Sequence, residues 1–118
     1  MHTIGPGGGV IEVHGGLSTE PLVVVEGLFD ALSLGVCGYG CIATIGRAVP
    51  WLPEAAAERR VYVAFDNGNA GDSSAGELLR QIPGAQRIRP PGKSQDWNSA
   101  LVKRGRAAVE RWLQEVVR

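Results

Sequence analysis

The residues best suited to chemistry are five acids: Glu26, Asp30, Asp66, Asp72 and Asp96. Glu26 abruptly ends the apolar run Leu22–Val25, and Asp66 ends the run Val61–Phe65. Both runs read as strands. In an open parallel α/β sheet, ligands sit at the carboxyl ends of strands. Asp30 follows Glu26 by one helical turn, so both face the same crevice. Asp96 follows the loop RPPGKSQ. Carboxylates gathered at one sheet edge select a hard cation such as Mg2+, whose shell is completed by water and substrate phosphate. For Asp72, a place in the first turn of a helix outweighs the ligand reading. For Asp96, a helix N-cap before WNSAL stands beside the ligand reading. Glu26 abuts four buried apolar residues, and an acid there needs a functional reason.

Other chemistries find less support. Neither His2 nor His14 lies near a strand-end serine, so no Ser-His-Asp arrangement forms. No G-x-G-x-x-G follows a strand. GPGGG, residues 5–9, is a weak phosphate cradle, because no strand precedes it and no Lys-Ser/Thr follows. Cys37 and Cys41 offer too few ligands for structural zinc and read as reduced, buried thiols, which suits a reducing cytoplasm. Twelve basic and twelve acidic side chains cancel, so nucleic acid would have to be met by a local patch. Arg87, Arg89, Lys93, Lys103, Arg104, Arg106 and Arg111 face only Asp96 and Glu110 in their stretch of chain. Of these, Arg87, Arg89 and Lys93 are the candidate nucleic-acid edge. No run approaches the ~20 apolar residues of a membrane span.

The elements that must position these acids follow from the apolar pattern. Residues 1–9 read as a loop or tail, and Val10–Val13 as a short edge strand. Leu22–Val25, Cys41–Ile45 and Val61–Phe65 are continuously apolar, as strands buried on both faces are. Gln86–Ile88 is a short fourth strand. Helices are predicted over Leu28–Leu34, with Leu28, Ala31, Leu32 and Gly35 inward, and over Pro50–Arg59, Ala70–Ile82 and Asp96–Val102. Arg106–Val117 closes the chain as a helix with Val109, Trp112, Leu113 and Val116 on one face. Trp97 and Trp112 read as core. The order βαβαβαβα implies right-handed crossovers between parallel strands. The organisation is a glycine-rich lead (1–21), an α/β domain (22–105) and a closing amphipathic helix (106–118). The glycine-rich start suggests a piece of a longer chain.

EGLFDA after a strand, then ATIG, FDNGNAG and PPGKSQDWN, together resemble a Toprim domain. That is the shared catalytic domain of bacterial-type DNA primases, type IA and II topoisomerases, overcoming-lysogenization-defect nucleases and recombination mediator proteins. The resemblance spans residues 22 to about 103 and is greatest to the phage and plasmid primase–helicase branch. It implies a Rossmann-like fold, with about four parallel strands flanked by helices. It implies catalytic roles for Glu26 and Asp66, and metal ligation by Glu26, Asp30, Asp66 and Asp96. Gly46 matches the glycine that lets backbone approach the site. Arg47 and Lys93 are placed to meet phosphate or nucleotide. The implied reaction is Mg2+- or Mn2+-dependent nucleotidyl transfer, with nucleoside triphosphates and a single-stranded DNA template as partners. Helicase or zinc-binding segments of a longer chain are implied with it.

One position departs from the pattern. Aligning Ala70-Gly71 with the family's Ala-Gly puts Gly68 where the second aspartate of Asp-x-Asp belongs. With that ligand gone, metal affinity is expected to be weak, on the order of millimolar. A degenerate module that binds nucleic acid without catalysis, and a small Toprim nuclease, are the alternative readings.

Overall fold

The computed structural model describes residues 2–4, 10–14, 20–45 and 49–117. The strands are β1 (His2–Ile4), β2 (Val10–Val13), β3 (Leu22–Val25), β4 (Cys41–Ala43), β5 (Val61–Val63) and β6 (Gln86–Arg87). The helices are α1 (Leu28–Val36), α2 (Leu52–Ala55), α3 (Asn69–Gln81), α4 (Trp97–Arg104) and α5 (Arg106–Val116). The sheet runs β1-β2-β4-β3-β5-β6. Strands β4, β3, β5 and β6 are mutually parallel, while β1 and β2 join as an antiparallel hairpin. The four expected parallel strands are therefore present, with the three apolar runs adjacent at the centre.

Those runs are continuously apolar because helices cover both faces of the sheet. Val23 and Val25 pack with Ala31, Leu34, Trp97, Ala100, Val109 and Leu113, the layer of α1, α4 and α5. Leu22 and Val24 point the other way, towards Leu52, Ala56, Ala75 and Ile82 around α2 and α3. Alternate residues of one strand thus feed two separate cores. Trp97 is fully buried and donates its indole N–H to the Ala64 carbonyl at 2.9 Å, which fixes α4 beside the end of β5. Cys37 and Cys41 are free and buried. The Cys41 thiol donates to the Ala31 carbonyl at 3.3 Å, and burial pushes its pKa up to about 12.

Three expectations need correction. Residues 1–9 do not read as loop throughout: His2–Ile4 is a strand, and β2 lies inside the sheet between β1 and β4. A hairpin partner satisfies a three-residue strand's backbone where the sequence alone is too short to show periodicity. Strands β1 and β2 thus belong to the same sheet as the parallel strands. The GPGGG segment lies outside the described residues. The second helix is shorter than Pro50–Arg59, giving way to turns after Ala55, and Glu58 adopts a left-handed φ of 63°. Leu32 is 38% exposed, whereas Asp30 and Ser33 are buried. The reason is that α1 is covered on two sides, by the sheet and by α4, where the Ser33 hydroxyl meets Asn98 Oδ1 at 3.4 Å.

Glycine at 71 is a steric requirement. A β-carbon there would stand 2.0 Å from the Asp66 carbonyl oxygen, whereas one at Gly76 on the same helix meets nothing closer than 3.9 Å. Gly71→Ala should therefore destabilise by about 1–3 kcal/mol through overpacking. Gly76→Ala should stabilise by up to about 1 kcal/mol through helix propensity. Urea unfolding of the two variants measures both, and equal effects would overturn the close-approach account.

Candidate functional site

The chain leaves β3 for α1 on one face of the sheet and leaves β5 for α3 on the other. Since β3 and β5 are neighbours, a crevice opens between their carboxyl ends, where open α/β sheets bind ligands. Glu26 is the first residue after β3, and its carbonyl accepts from the Ile45 N–H at 2.8 Å. Asp66 lies three residues beyond β5. Asp30 sits in the first turn of α1 and is 7% exposed. Asp96 caps α4, its Oδ1 accepting from the Ser99 N–H at 2.7 Å.

Two of the four acids, Asp30 and Glu26, register the company of the others. Asp30 is pushed up to about 7, chiefly by burial, then by a hydrogen bond to Asp66 and by the charges of Asp66 and Asp96; the Asn98 N–H opposes this. Glu26 is raised, first by burial and then by Asp66, against the pull of Arg87. Like charges at close quarters favour the proton-bearing form of one member. Asp66 Oδ1 is buried and no N–H group donates to it. The donor available to that carboxylate is the proton of Asp30. Among the described residues, none of Glu26, Asp30 and Asp66 forms an ion pair with Lys or Arg. Nor do three His, Cys, Asp or Glu side chains converge tightly enough to enclose a metal ion. The arrangement is a carboxyl pair, Asp30 and Asp66, with Glu26 beside it.

Two loops hold this edge in shape. The Asn67 N–H donates to the Gln95 carbonyl at 2.8 Å, and its side-chain amide donates to Ser94 O at 2.7 Å and Pro90 O at 3.3 Å. The Gln95 amide returns a hydrogen bond to the Asn67 carbonyl. From β6, Arg87 donates to the carbonyls of Phe65 and Asp66, each at 2.9 Å, and to Asp72 Oδ1 at 3.0 Å. Arg89 reaches the same Asp72 oxygen at 2.7 Å. These bonds to Arg89 and Arg87 hold the Asp72 carboxyl below its usual range. Arg87 and Arg89 are thus engaged internally, whereas Lys93 stands exposed on its loop. Gly46 and Arg47 lie outside the described residues.

Gly68 caps α3 with φ 111° and ψ 173°. That region is open essentially to glycine alone. A β-carbon there would meet Gln95 Nε2 at 3.3 Å. The loop backbone, as well as the residue type, departs from an Asp-x-Asp pair.

Sequence reasoning missed the loop clasp and the role of Asn98, whose backbone N–H donates to Asp30 Oδ1 at 3.2 Å. Asp96 as N-cap serves the N–H of Ser99, leaving the preceding N–H of Asn98 free for another acceptor. The DWNS pattern held that signal. Beside Glu26 opens a cavity of about 460 Å³, floored by Leu52, Phe65 and Leu78 and rimmed by Thr44, Ser74 and Glu77.

The Toprim domain family matches residues 21–107 of this chain. The chain belongs to that family, and its α/β architecture is the Toprim, Rossmann-like one. Among solved structures, the crystal structure of the primase fragment of the bacteriophage T7 primase–helicase protein is similar. Its TM-score is 0.58 at 20% sequence identity, over 85% of this chain and 44% of the other. The chain thus spans under half of that fragment's length. No curated protein matches the sequence.

Two outcomes follow from the site. Because Asp30 is raised from 3.8 to about 7, the fold favours its protonated form. Its contribution to stability is complete below the unfolded-state value and is lost as pH rises through about 7. Asp30→Asn should flatten the fall in stability between about pH 4 and 7, read by urea unfolding across that range. In an NMR titration, Asp66→Asn should lower the Asp30 midpoint while leaving it above the ordinary carboxylate range, since burial is the larger cause; an unmoved midpoint would separate the two carboxyls.

Gly68→Asp should cost about 1–3 kcal/mol from the strained backbone alone, measured by the same unfolding method. Unchanged stability would mean that the loop rearranges freely.

Proposed function

We propose that this domain is the metal-binding, phosphoryl (nucleotidyl) transfer module of a DNA primase-like protein. The observation that carries the reading is the gathering of Glu26, Asp30, Asp66 and Asp96 at the carboxyl edge of a Toprim sheet, where burial and the neighbouring acids raise Asp30 and Glu26. The residues suit a divalent cation. A buried Asp66 oxygen without an N–H donor, next to an acid that retains its proton to about pH 7, is a donor set that a hard cation satisfies by replacing the proton. Because no three acids among the described residues converge on one point, Glu26, Asp30 and Asp66 would hold Mg2+ or Mn2+ largely through its water shell, while Asp96 adds negative charge from its capping position. When bound, the ion supplies charge neutralisation on a transferring phosphoryl group.

The chain's own groups do the rest. Glu26 is half-buried and its carboxyl lies above the usual range, which suits it to take the proton from an attacking hydroxyl. The Asn98 N–H fixes the orientation of Asp30. Arg87 fixes the Asp66 backbone from behind. Nucleoside triphosphates and a single-stranded DNA template are the partners this chemistry takes. Helicase or zinc-binding segments of a longer chain belong to the same reading.

A second reading is a module that binds nucleic acid without catalysis. Gly68 favours it, since its conformation excludes the aspartate that a paired-acid metal site would use. Primer synthesis from ribonucleotides on single-stranded DNA separates the two: activity abolished by Glu26→Gln supports the enzyme, and strand binding without synthesis supports the module.

Metal binding has a direct test. Titrated Mn2+ should broaden the NMR signals of Glu26, Asp30 and Asp66 at millimolar concentrations and leave Asp72 sharp, because Asp72 is held by two arginines. Asp66→Asn should remove the effect. Broadening that is uniform over all acids, or centred on Asp72, would dismiss the metal site.

A further inference from the structure

We propose that Lys93, Lys103 and Arg104 form a phosphate-binding pocket at the far end of α4 from the acids. The pocket has a volume of about 230 Å³ and is lined by these three side chains and Ser94. Among the described residues, none of the three cations makes an ion pair with a carboxylate. In a chain whose formal charge is zero, three converging cations without a counter-ion are a local anion site.

A basic last turn of a helix has a simpler explanation, which is compensation of the negative end of its dipole. That explanation covers Lys103 and Arg104 and leaves Lys93 out, because Lys93 arrives from the preceding loop. It also leaves out the fit between loop and helix. Gly92 has φ 61°, and a β-carbon on it would stand 2.0 Å from an Arg104 guanidinium nitrogen. The absence of a side chain at 92 lets Arg104 lie directly against the loop. The loop itself is stiff: Pro90 and Pro91 are buried, the Ser94 N–H donates to the Pro91 carbonyl at 3.2 Å, and the Ser94 and Pro90 carbonyls are held by Asn67. Long cationic side chains are costly to order one by one, and here one is already seated.

The position has a consequence for the ligand. Helix α4 spans residues 97–104, so the pocket lies roughly 12 Å along its axis from the Asp96 cap. A polynucleotide strand or an extended triphosphate that reaches the acids has phosphate oxygens at that range. The shared chemistry is a phosphate oxyanion held by two ammonium groups and a guanidinium. This inference rests on the nucleic-acid reading of the acid edge and adds a second point of attachment to it.

The test compares the parent chain with K103Q/R104Q and, as a control for lost charge elsewhere, R80Q on α3. Circular dichroism confirms that each is folded. Binding of a fluorescent single-stranded oligonucleotide and of ATP is measured by anisotropy and calorimetry over a range of salt concentrations. The double variant should bind more weakly than the parent, with a salt slope reduced by about one per charge removed, whereas R80Q should match the parent. Loss confined to the oligonucleotide identifies strand phosphates, and loss confined to ATP identifies the nucleotide's phosphate tail. If the parent binds and the double variant binds equally well with the same slope, the pocket assignment fails and the acid-edge reading survives. If the parent binds neither ligand, both fail.

Discussion

The structure depends on the parallel pairing of β3 with β5. Val24 and Val63 lie in register, and the Ala64 N–H bonds to the Val24 carbonyl at 2.8 Å. That register delivers Glu26 and Asp66 to the same level of the sheet, while α1 and α3 depart on opposite faces and leave the space between them open. Burial and the neighbouring carboxylates together raise Asp30 to about 7, and an arginine from β6 grips the Asp66 backbone without pairing with its carboxylate. A helix N-terminus is aimed at Asp30. The energy that holds these acids together comes from the two apolar layers beneath, each supplied by alternate residues of the same short strands.

Much of this was legible in the residues. Continuous apolar runs announced strands buried on both faces, and acids at their ends announced the edge. Short motifs in the right order identified the family. What failed did so for identifiable reasons. Strand β1 has three residues, too few for any period to show. The inward face of α1 was misjudged at Leu32 because a helix packed on both a sheet and another helix buries two stripes, and Asp30 and Ser33 lie on the second. Asn67 and Gln95 gave no signal, since loop-to-loop hydrogen bonds across 28 residues leave no local pattern.

The site divides in the same way. Glu26, Asp30 and Asp66 were singled out by position, and the structure places them at one edge. Asp96 was read as either cap or ligand, and its carboxylate caps α4. Arg87 and Arg89 looked like a surface for nucleic acid, yet both turn back to Asp72 and the end of β5. At Gly68 the substitution was visible as a missing charge; the backbone shows it to be also a change of conformation, which no residue count conveys.

The sheet ends in strands of three residues at β1 and two at β6. A strand so short offers a neighbouring molecule almost no ladder of free N–H and C=O groups. On the β6 side, Arg87 also occupies the carbonyls of Phe65 and Asp66 just beyond the last paired residue. A guanidinium thus finishes the sheet where another strand would otherwise begin. Among the described residues the margins of the sheet therefore offer little template for edge-to-edge pairing beside the acidic edge, a separation of reactivity from stickiness that a sheet with long open margins would not have.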